Sequence, residues 1–336
     1  MNKPISILVA VYKGSHVLPD ALDSIYDQHA QNIEVVVVDD NPLDETEEIK
    51  KTQQICNKYK TIRYIKNQKN LGCQLTFQVL LDNARHDTVL FLAQDDIFSR
   101  SAIQKVRDAF DEYPEAGFIT RPYFWFEHDI HQPIRHVPPI DTKKNTLMKI
   151  TDGERTVKGV FGSVGQISGL AYKKSLIKEP YHPDIFPGHI YPIAELLTRY
   201  PGVFLKDYIV AIGTLDSQSR KISSIYDDSP TEQWMRMFRK FYQNKKYESF
   251  YKLCVEHMAT NYEGLVQLKN YGKSGVLEKE ITILVHYRPQ NMYTLKFWAY
   301  SLLTLLLPRS ILRNLSDFYK RRILSRSIPQ IIFEKP

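Results

Sequence analysis

Short apolar, β-branched runs at residues 5–11, 33–38, 62–65 and 89–92 alternate with stretches of helical spacing, and this alternation leaves few folds open. After the first run, Val17, Leu18, Leu22 and Ile25 recur at helical intervals. A polar helix is expected over roughly 45–59, and another from Asn70-Leu71-Gly72 to about residue 84. Apolar runs this short, without a polar alternate face, read as strands covered on both sides. Strands alternating with helices imply a parallel sheet with right-handed crossovers. In such a sheet the ligand crevice lies beyond the carboxyl ends of the strands.

Two of the runs end in paired acids, Asp39-Asp40 after the second and Asp95-Asp96 after the fourth. Adjacent carboxylates repel one another, and a hard divalent cation (Mg²⁺ or Mn²⁺) relieves that repulsion. A cation held by few carboxylates completes its shell with substrate phosphates, so the pair points to phosphate-ester chemistry. The competing reading is a turn or a helix cap, for which Asp is also suited. Ser99 is the better-placed cap for the next helix, whose apolar stripe is Ile103, Val106 and Phe110.

The segments Ser6-Ile-Leu-Val-Ala-Val-Tyr-Lys-Gly14, Val36-Val-Val-Asp-Asp-Asn41, Asn70-Leu-Gly72 and Ala93-Gln-Asp-Asp96 fall in a fixed order and spacing. Over about residues 4–215 the chain resembles the family 2 glycosyltransferases of the bacterial surface-polysaccharide type. The resemblance implies an α/β GT-A fold: a Rossmann-like, mostly parallel central sheet flanked by helices, here with a C-terminal helical extension. It further implies a nucleotide-sugar donor, a divalent metal on its diphosphate, and inversion at the sugar's anomeric carbon. Position by position, Ala10, Val11 and Tyr12 would line the nucleotide pocket. Asp39 or Asp40 would hydrogen-bond the base or ribose, and Asn70, Gly72, Gln94 and Asp95 would also face the donor. Ala93 stands where relatives carry the first acid of an Asp-x-Asp motif. The metal would then rest on Asp95, Asp96 or both. Ala10 stands where many relatives have Pro.

The second half should supply a base and an acceptor surface. Gly165-Gln-Ile-Ser-Gly-Leu-Ala-Tyr172 reads either as a strand with a turn or as a loop in which glycines let backbone approach a ligand. Relatives carry an acid at the start of a helix near residues 188–199, and its carboxylate acts as base. Glu195 is the expected residue here, with Asp184 and His189 as rivals. Arg220 would pair with diphosphate oxygens or lie in a solvated loop. Tyr123-Phe-Trp-Phe126 is expected to pack in the core more than to stack on a sugar.

From about residue 228 the pattern turns helical, with Trp234, Met237, Phe238, Phe241 and Tyr242 on one face. The apolar stretch 297–307 is too short to span a bilayer, which takes ~20 residues. Beyond Pro308, Ile311, Leu312, Leu315, Phe318, Tyr319 and Ile323 line one side of a helix rich in Arg and Lys. From Lys296 onward the net charge is +6, against +7 for the whole chain, so the basicity is concentrated there. A basic amphipathic tail of this kind lies in the interface of an anionic membrane, or packs on its own domain or a partner subunit.

The division expected is a catalytic domain over 1–225 (donor half 1–98, acceptor half 99–225), a helical region over 226–295 and a membrane-associating tail over 296–336. The apolar run near Met1 is too short and β-like for a signal peptide. Cys56, Cys73 and Cys254 lack disulfide or metal spacing, which suits a reducing cytosol. The basic residues track an apolar face, which disfavours nucleic acid. The expected task is inverting transfer of one sugar to a saccharide acceptor, lipid-linked by expectation, in surface polysaccharide or lipopolysaccharide synthesis. It would take place at the inner face of the cell membrane, by a peripheral protein that could form a homo-oligomer. A non-catalytic sugar-nucleotide-binding or scaffold protein on the same fold is the alternative. A nucleotidyltransferase fits less well, since no Gly-rich, basic loop follows the first strand.

Overall fold

The computed structural model describes residues 3–183, 186–215 and 223–335. The chain opens with β1 (Ile5–Val11), α1 (Leu18–Tyr26), β2 (Ile33–Asp39), α2 (Thr46–Cys56), β3 (Ile62–Lys66), α3 (Cys73–Asn83) and β4 (Thr88–Ala93). It continues through β5 (Ile97–Phe98), α4 (Ala102–Glu112), β6 (Phe118–Thr120), β7 (Tyr123–Phe126), β8 (Arg135–Val137), β9 (Thr146–Met148) and the one-turn helix α5 (Glu154–Thr156). Then come β10 (Ala171–Lys173), α6 (Tyr191–Leu196), β11 (Gly202–Phe204) and β12 (Val210–Gly213). Six longer helices close the chain: α7 (Pro230–Tyr242), α8 (Glu248–Ala259), α9 (Glu263–Tyr271), α10 (Val276–Tyr287), α11 (Leu295–Leu306) and α12 (Arg309–Phe318).

The main sheet has the order β3-β2-β1-β4-β10-β6-β11-β9, with β10 and β9 running against the rest. The mostly parallel α/β sheet implied by the sequence is what forms. Its two-residue side-chain period explains why helices cover both faces. Ile5, Ile7, Val9 and Val11 of β1 pack with α1 and α4, while Leu8 packs on the opposite face with α3 and α7. A second sheet, β5-β12-β7-β8, carries the aromatic run 123–126, whose first three residues are buried as expected.

Three local expectations are corrected. The α4 helix begins at Ala102 with Ser101 at the cap position, because the Ser99 amide is tied to the Ile209 carbonyl (2.9 Å), joining β5 to β12. The apolar run 203–212, which by its pattern reads as one sheet-like segment, forms parts of two strands in two sheets. The boundary expected at residue 225 does not divide the packing. Trp234, Phe238, Tyr242, Phe250 and Cys254 of α7 and α8 join the core of the main sheet, and a separate cluster forms only from Tyr226, Tyr262 and residues of α9 to α11.

Candidate active site

β1 lies between β2 and β4, so the acid pairs that end those strands are two strand spacings, about 10 Å, apart at one edge of the sheet. Asp95 is half-buried and lines a cavity of about 190 Å³ together with Asp96, Asp20, Glu127, His128 and Gly213 to Leu215. Asp96 is 3% exposed. Its Oδ1 accepts the Gly213 amide (2.9 Å) and its Oδ2 accepts the Ser168 hydroxyl. Burial, and then the negative charge of Asp95, push the Asp96 carboxyl well above the usual carboxylate range. A buried carboxylate whose proton affinity is raised by burial and by an adjacent carboxylate, beside a cavity, fits a divalent cation, which would replace that proton. Among the described residues no group of three or more acids, histidines or cysteines is posed for a metal. The cation would therefore take most of its shell from water and substrate oxygens.

Ser168 itself is held from behind. Its Oγ also accepts the Ala93 amide (2.7 Å), and its carbonyl accepts Arg121 Nε (2.7 Å). Arg121 is fully buried; it donates further to the carbonyls of Gln166 and Ser163 and lies over the Tyr123 ring. Burial lowers its pKa to about 10, so it remains a cation. Its charge opposes the effect of burial on Asp96. Gly169, at φ +83°, lets the chain turn there; a Cβ would sit 2.8 Å from Arg121 Nε. The Gly165–Tyr172 stretch thus acts as a support for the metal-type carboxylate, and no pattern in the sequence announces Arg121.

The residues expected around the donor also hold one another's loops. Asp39 is fully buried, with the Asn41 amide on Oδ1 (2.8 Å) and the Tyr64 hydroxyl on Oδ2 (2.6 Å). Asp40 receives the Leu71 amide and Asn67 Nδ2 on Oδ1 (2.8 Å each) and the Gly72 amide on Oδ2 (2.9 Å). Both acids therefore organise the loops that follow β2 and lead into α3. Gln94 braces the loop after β1: its side-chain amide brackets Tyr12, accepting from the Tyr12 nitrogen and donating to its carbonyl (2.9 Å each). A Cβ on Gly14 would overlap the Gln94 side chain at 2.2 Å. The Val11 carbonyl takes the Asp40 amide, and Ala10 remains partly exposed at the strand end. Asn70 is exposed, bonded to the Asp40 carbonyl (3.1 Å) and the Gly72 amide (3.1 Å), where α3 begins.

Replacing Asp40 by Ala should leave the Leu71 and Gly72 amides without their acceptor. The expected loss is about 2–3 kcal/mol of stability, read as a lower urea midpoint with unchanged slope.

Glu195 is displaced from the site. Its carboxylate is clamped by Arg199 (Nε–Oε1 2.7 Å, Nη2–Oε2 2.7 Å), and Arg199 also donates to the Leu176 carbonyl (2.6 Å). Lys173 pairs with Thr88, the first residue of β4, so Leu176 lies past the amino end of that strand. Glu195 therefore belongs to the edge of the sheet opposite Asp95 and Asp96, and this corrects its assignment as base. His189 lies at the other end of the same segment. Its Nε2 bonds the Val164 carbonyl (2.8 Å), in the loop that carries Ser168. Next to it, a Cβ on Gly188 would meet Gln74, in the first turn of α3, at 2.7 Å. The Gly188–His189 turn is thus wedged between the α3 amino end and the Asp96 support. Burial, with Arg121 adding to it, pushes the His189 imidazole down to about 4, so it is neutral at physiological pH. Asp184 and Arg220 lie outside the described residues.

Residues 6–167 match the family described as Glycosyl transferase family 2. An uncharacterized glycosyltransferase of Rickettsia prowazekii is 31% identical over 102 residues, 30% of this chain and 30% of that protein. The minor teichoic acid biosynthesis protein GgaA of Bacillus subtilis is 28% identical over 130 residues, 36% of this chain and 28% of that protein. The matches cover less than half the length of these curated relatives. Among solved structures, S. aureus TarS 1–349 in complex with UDP-GlcNAc superposes with a TM-score of 0.63 at 17% identity, over 96% of this chain and 91% of that one. The mannosyltransferase PcManGT from Pyrobaculum calidifontis, in complex with GDP-Man and Mn²⁺, gives 0.52 at 14%, over 91% and 87%. At these identities the two structures establish a shared fold.

Proposed function

Because residues 6–167 make this chain a member of glycosyl transferase family 2, we propose that it moves one sugar, with inversion, from a nucleoside-diphosphate sugar to a membrane-lipid-linked saccharide. The observation that carries this reading is the Asp95-Asp96 pair, set beside a cavity at the carboxyl end of β4 and held from behind by Ser168 and Gly213. The product would be a cell-surface polysaccharide, and the likeness to GgaA makes a teichoic-acid-like polymer the first class to consider. The bound ligand of TarS likewise makes uridine diphosphate sugars the first donors to test.

Asp95 and Asp96 would hold Mn²⁺ or Mg²⁺, which supplies Lewis-acid stabilisation of the charge growing on the departing diphosphate. The protein's own residues do the rest. Gln94 and Asn41 fix the loop after β1, Asn41 through the Lys13 amide (2.7 Å). Asp40 fixes the turn into α3. Together they give the donor cleft a rigid floor, and rigidity of this sort lowers the entropic barrier to attack.

Inversion in a single displacement needs a base near the acceptor hydroxyl. We assign that role to His189. With Nε2–H donating to Val164, the neutral ring carries its lone pair on Nδ1, the atom that would take the hydroxyl proton. The test is a panel of nucleotide sugars incubated with the protein and Mn²⁺, following release of the nucleoside diphosphate. Turnover of one donor, lost on chelation and restored by Mn²⁺, is the expected result. Tight donor binding with no turnover for any donor or acceptor would favour the scaffold alternative.

A further inference from the structure

Large apolar side chains left in solvent are concentrated at the C-terminal end of the described chain. Leu302, Leu305 and Leu306 with Trp298 form the outer stripe of α11, and Ile311, Leu315 and Phe318 that of α12, while Phe297, Ser301, Thr304 and Leu312 face inward. Leu306 is 75% exposed and Leu295, at the start of α11, 85%. Both helices pack on α9, so their bare stripes turn away from the same support. No described helix is long and apolar enough to cross a membrane. The charges around these stripes are mostly positive: Lys296, Arg309, Arg313, Arg322 and Arg326 stand against Asp317 on α12. Trp298, Tyr293 and Tyr319 are exposed at their edges. Apolar stripes, flanking cations and amphipathic aromatics are the chemistry of a helix lying in a membrane interface.

The same tail then returns to the catalytic domain. Arg321 pairs with Glu127 (3.0 Å) on the rim of the Asp95-Asp96 cavity. Phe333 meets the Phe124 ring edge-on, with centroids 5.2 Å apart, and the Glu334 carbonyl accepts the Arg100 amide (2.8 Å). The apolar stripes are therefore tied at a fixed orientation to the cavity.

We propose that the outer faces of α11 and α12 dock on an anionic bilayer and that the Arg321, Phe333 and Glu334 contacts hold the cavity at a set height above it. This deepens the proposed function, since an acceptor on a lipid presents its hydroxyl at such a height, but docking is tested without any substrate. Full-length protein should sediment with vesicles of phosphatidylcholine and phosphatidylglycerol, and at least tenfold less with phosphatidylcholine alone. Arg313→Glu with Arg322→Glu should weaken vesicle binding about 30-fold or more, at roughly fivefold per lost cation. Leu306→Asp with Leu315→Asp should weaken it at least as much. Both double variants replace exposed residues, and each should bind UDP with Mn²⁺ as wild type does. Equal sedimentation with both vesicle types, or vesicle binding untouched by both double variants, overturns the proposal. So does a dimer in sedimentation velocity that Leu306→Asp abolishes, in the absence of vesicle binding, since a second copy would then cover the face. Loss of vesicle binding with UDP binding intact supports docking and leaves the transfer chemistry to be judged on its own assay.

Discussion

Asp96→Asn should reduce sugar transfer by about three orders of magnitude, ~4 kcal/mol of transition-state stabilisation, while leaving the protein at least as stable as wild type. The two effects have one cause. Asp96 is buried beside Asp95, and its ionised form is unfavourable in the fold until a cation arrives. An amide of the same shape removes that penalty, for a gain of about 1 kcal/mol. The sign follows from proton linkage. The folded chain holds the Asp96 proton more tightly than the unfolded chain does. Stability from this group is therefore complete below the ordinary carboxylate range and is lost as the pH rises through the raised folded-state value. Melting curves of wild type and Asp96→Asn should accordingly converge in acid and separate, variant above wild type, toward neutrality. Mn²⁺ with UDP should raise the wild-type midpoint and move the variant little, because a ligand stabilises only the state that binds it. A variant that melts far below wild type at every pH would make Asp96 a structural acid and remove the support for the metal site.

The second large effect separates two residues six positions apart. His189→Gln should lower the transfer rate by about 10²- to 10⁴-fold, the usual contribution of a general base, with KM for the donor within a few-fold of wild type. Glu195→Gln should do the opposite. Loss of the charge and of one of its two bonds to Arg199 weakens the amino edge of the sheet by about 1 kcal/mol, while transfer stays within about twofold. If Glu195→Gln stops transfer and His189→Gln does not, the base assignment reverts to the acid. Donor KM distinguishes a lost base from a collapsed cleft, because the Gly188–His189 turn touches Gln74 at the edge of α3.

Much of this architecture was legible in the chain. Uninterrupted β-branched runs had to become buried parallel strands, and the acid pairs ending two of them had to emerge at one edge. The helical face of Trp234, Phe238 and Tyr242 was also visible, though not that it would join the core of the main sheet. What was hidden concerns pairs of residues far apart in sequence. Asp40 closes on Leu71 and Gly72, and Gln94 brackets Tyr12 across 82 positions. Arg121, isolated in an apolar stretch, gave no signal that its guanidinium would gather three carbonyls behind Ser168.

The sequence by itself determined the first four strands, their alternation with helices in a parallel sheet and the place where acids end two of them, because side-chain period and local hydrophobicity act over a few residues. Only the tertiary structure decided which of those acids face a cavity and which hold loops. A carboxylate's role depends on the donors and charges within a few ångströms of it, and here those come from segments up to 117 residues away, as Gly213 does for Asp96. Glu195 and His189 make the same point: six positions apart in the chain, one is held through Arg199 to the Leu176 carbonyl and the other to the Val164 carbonyl.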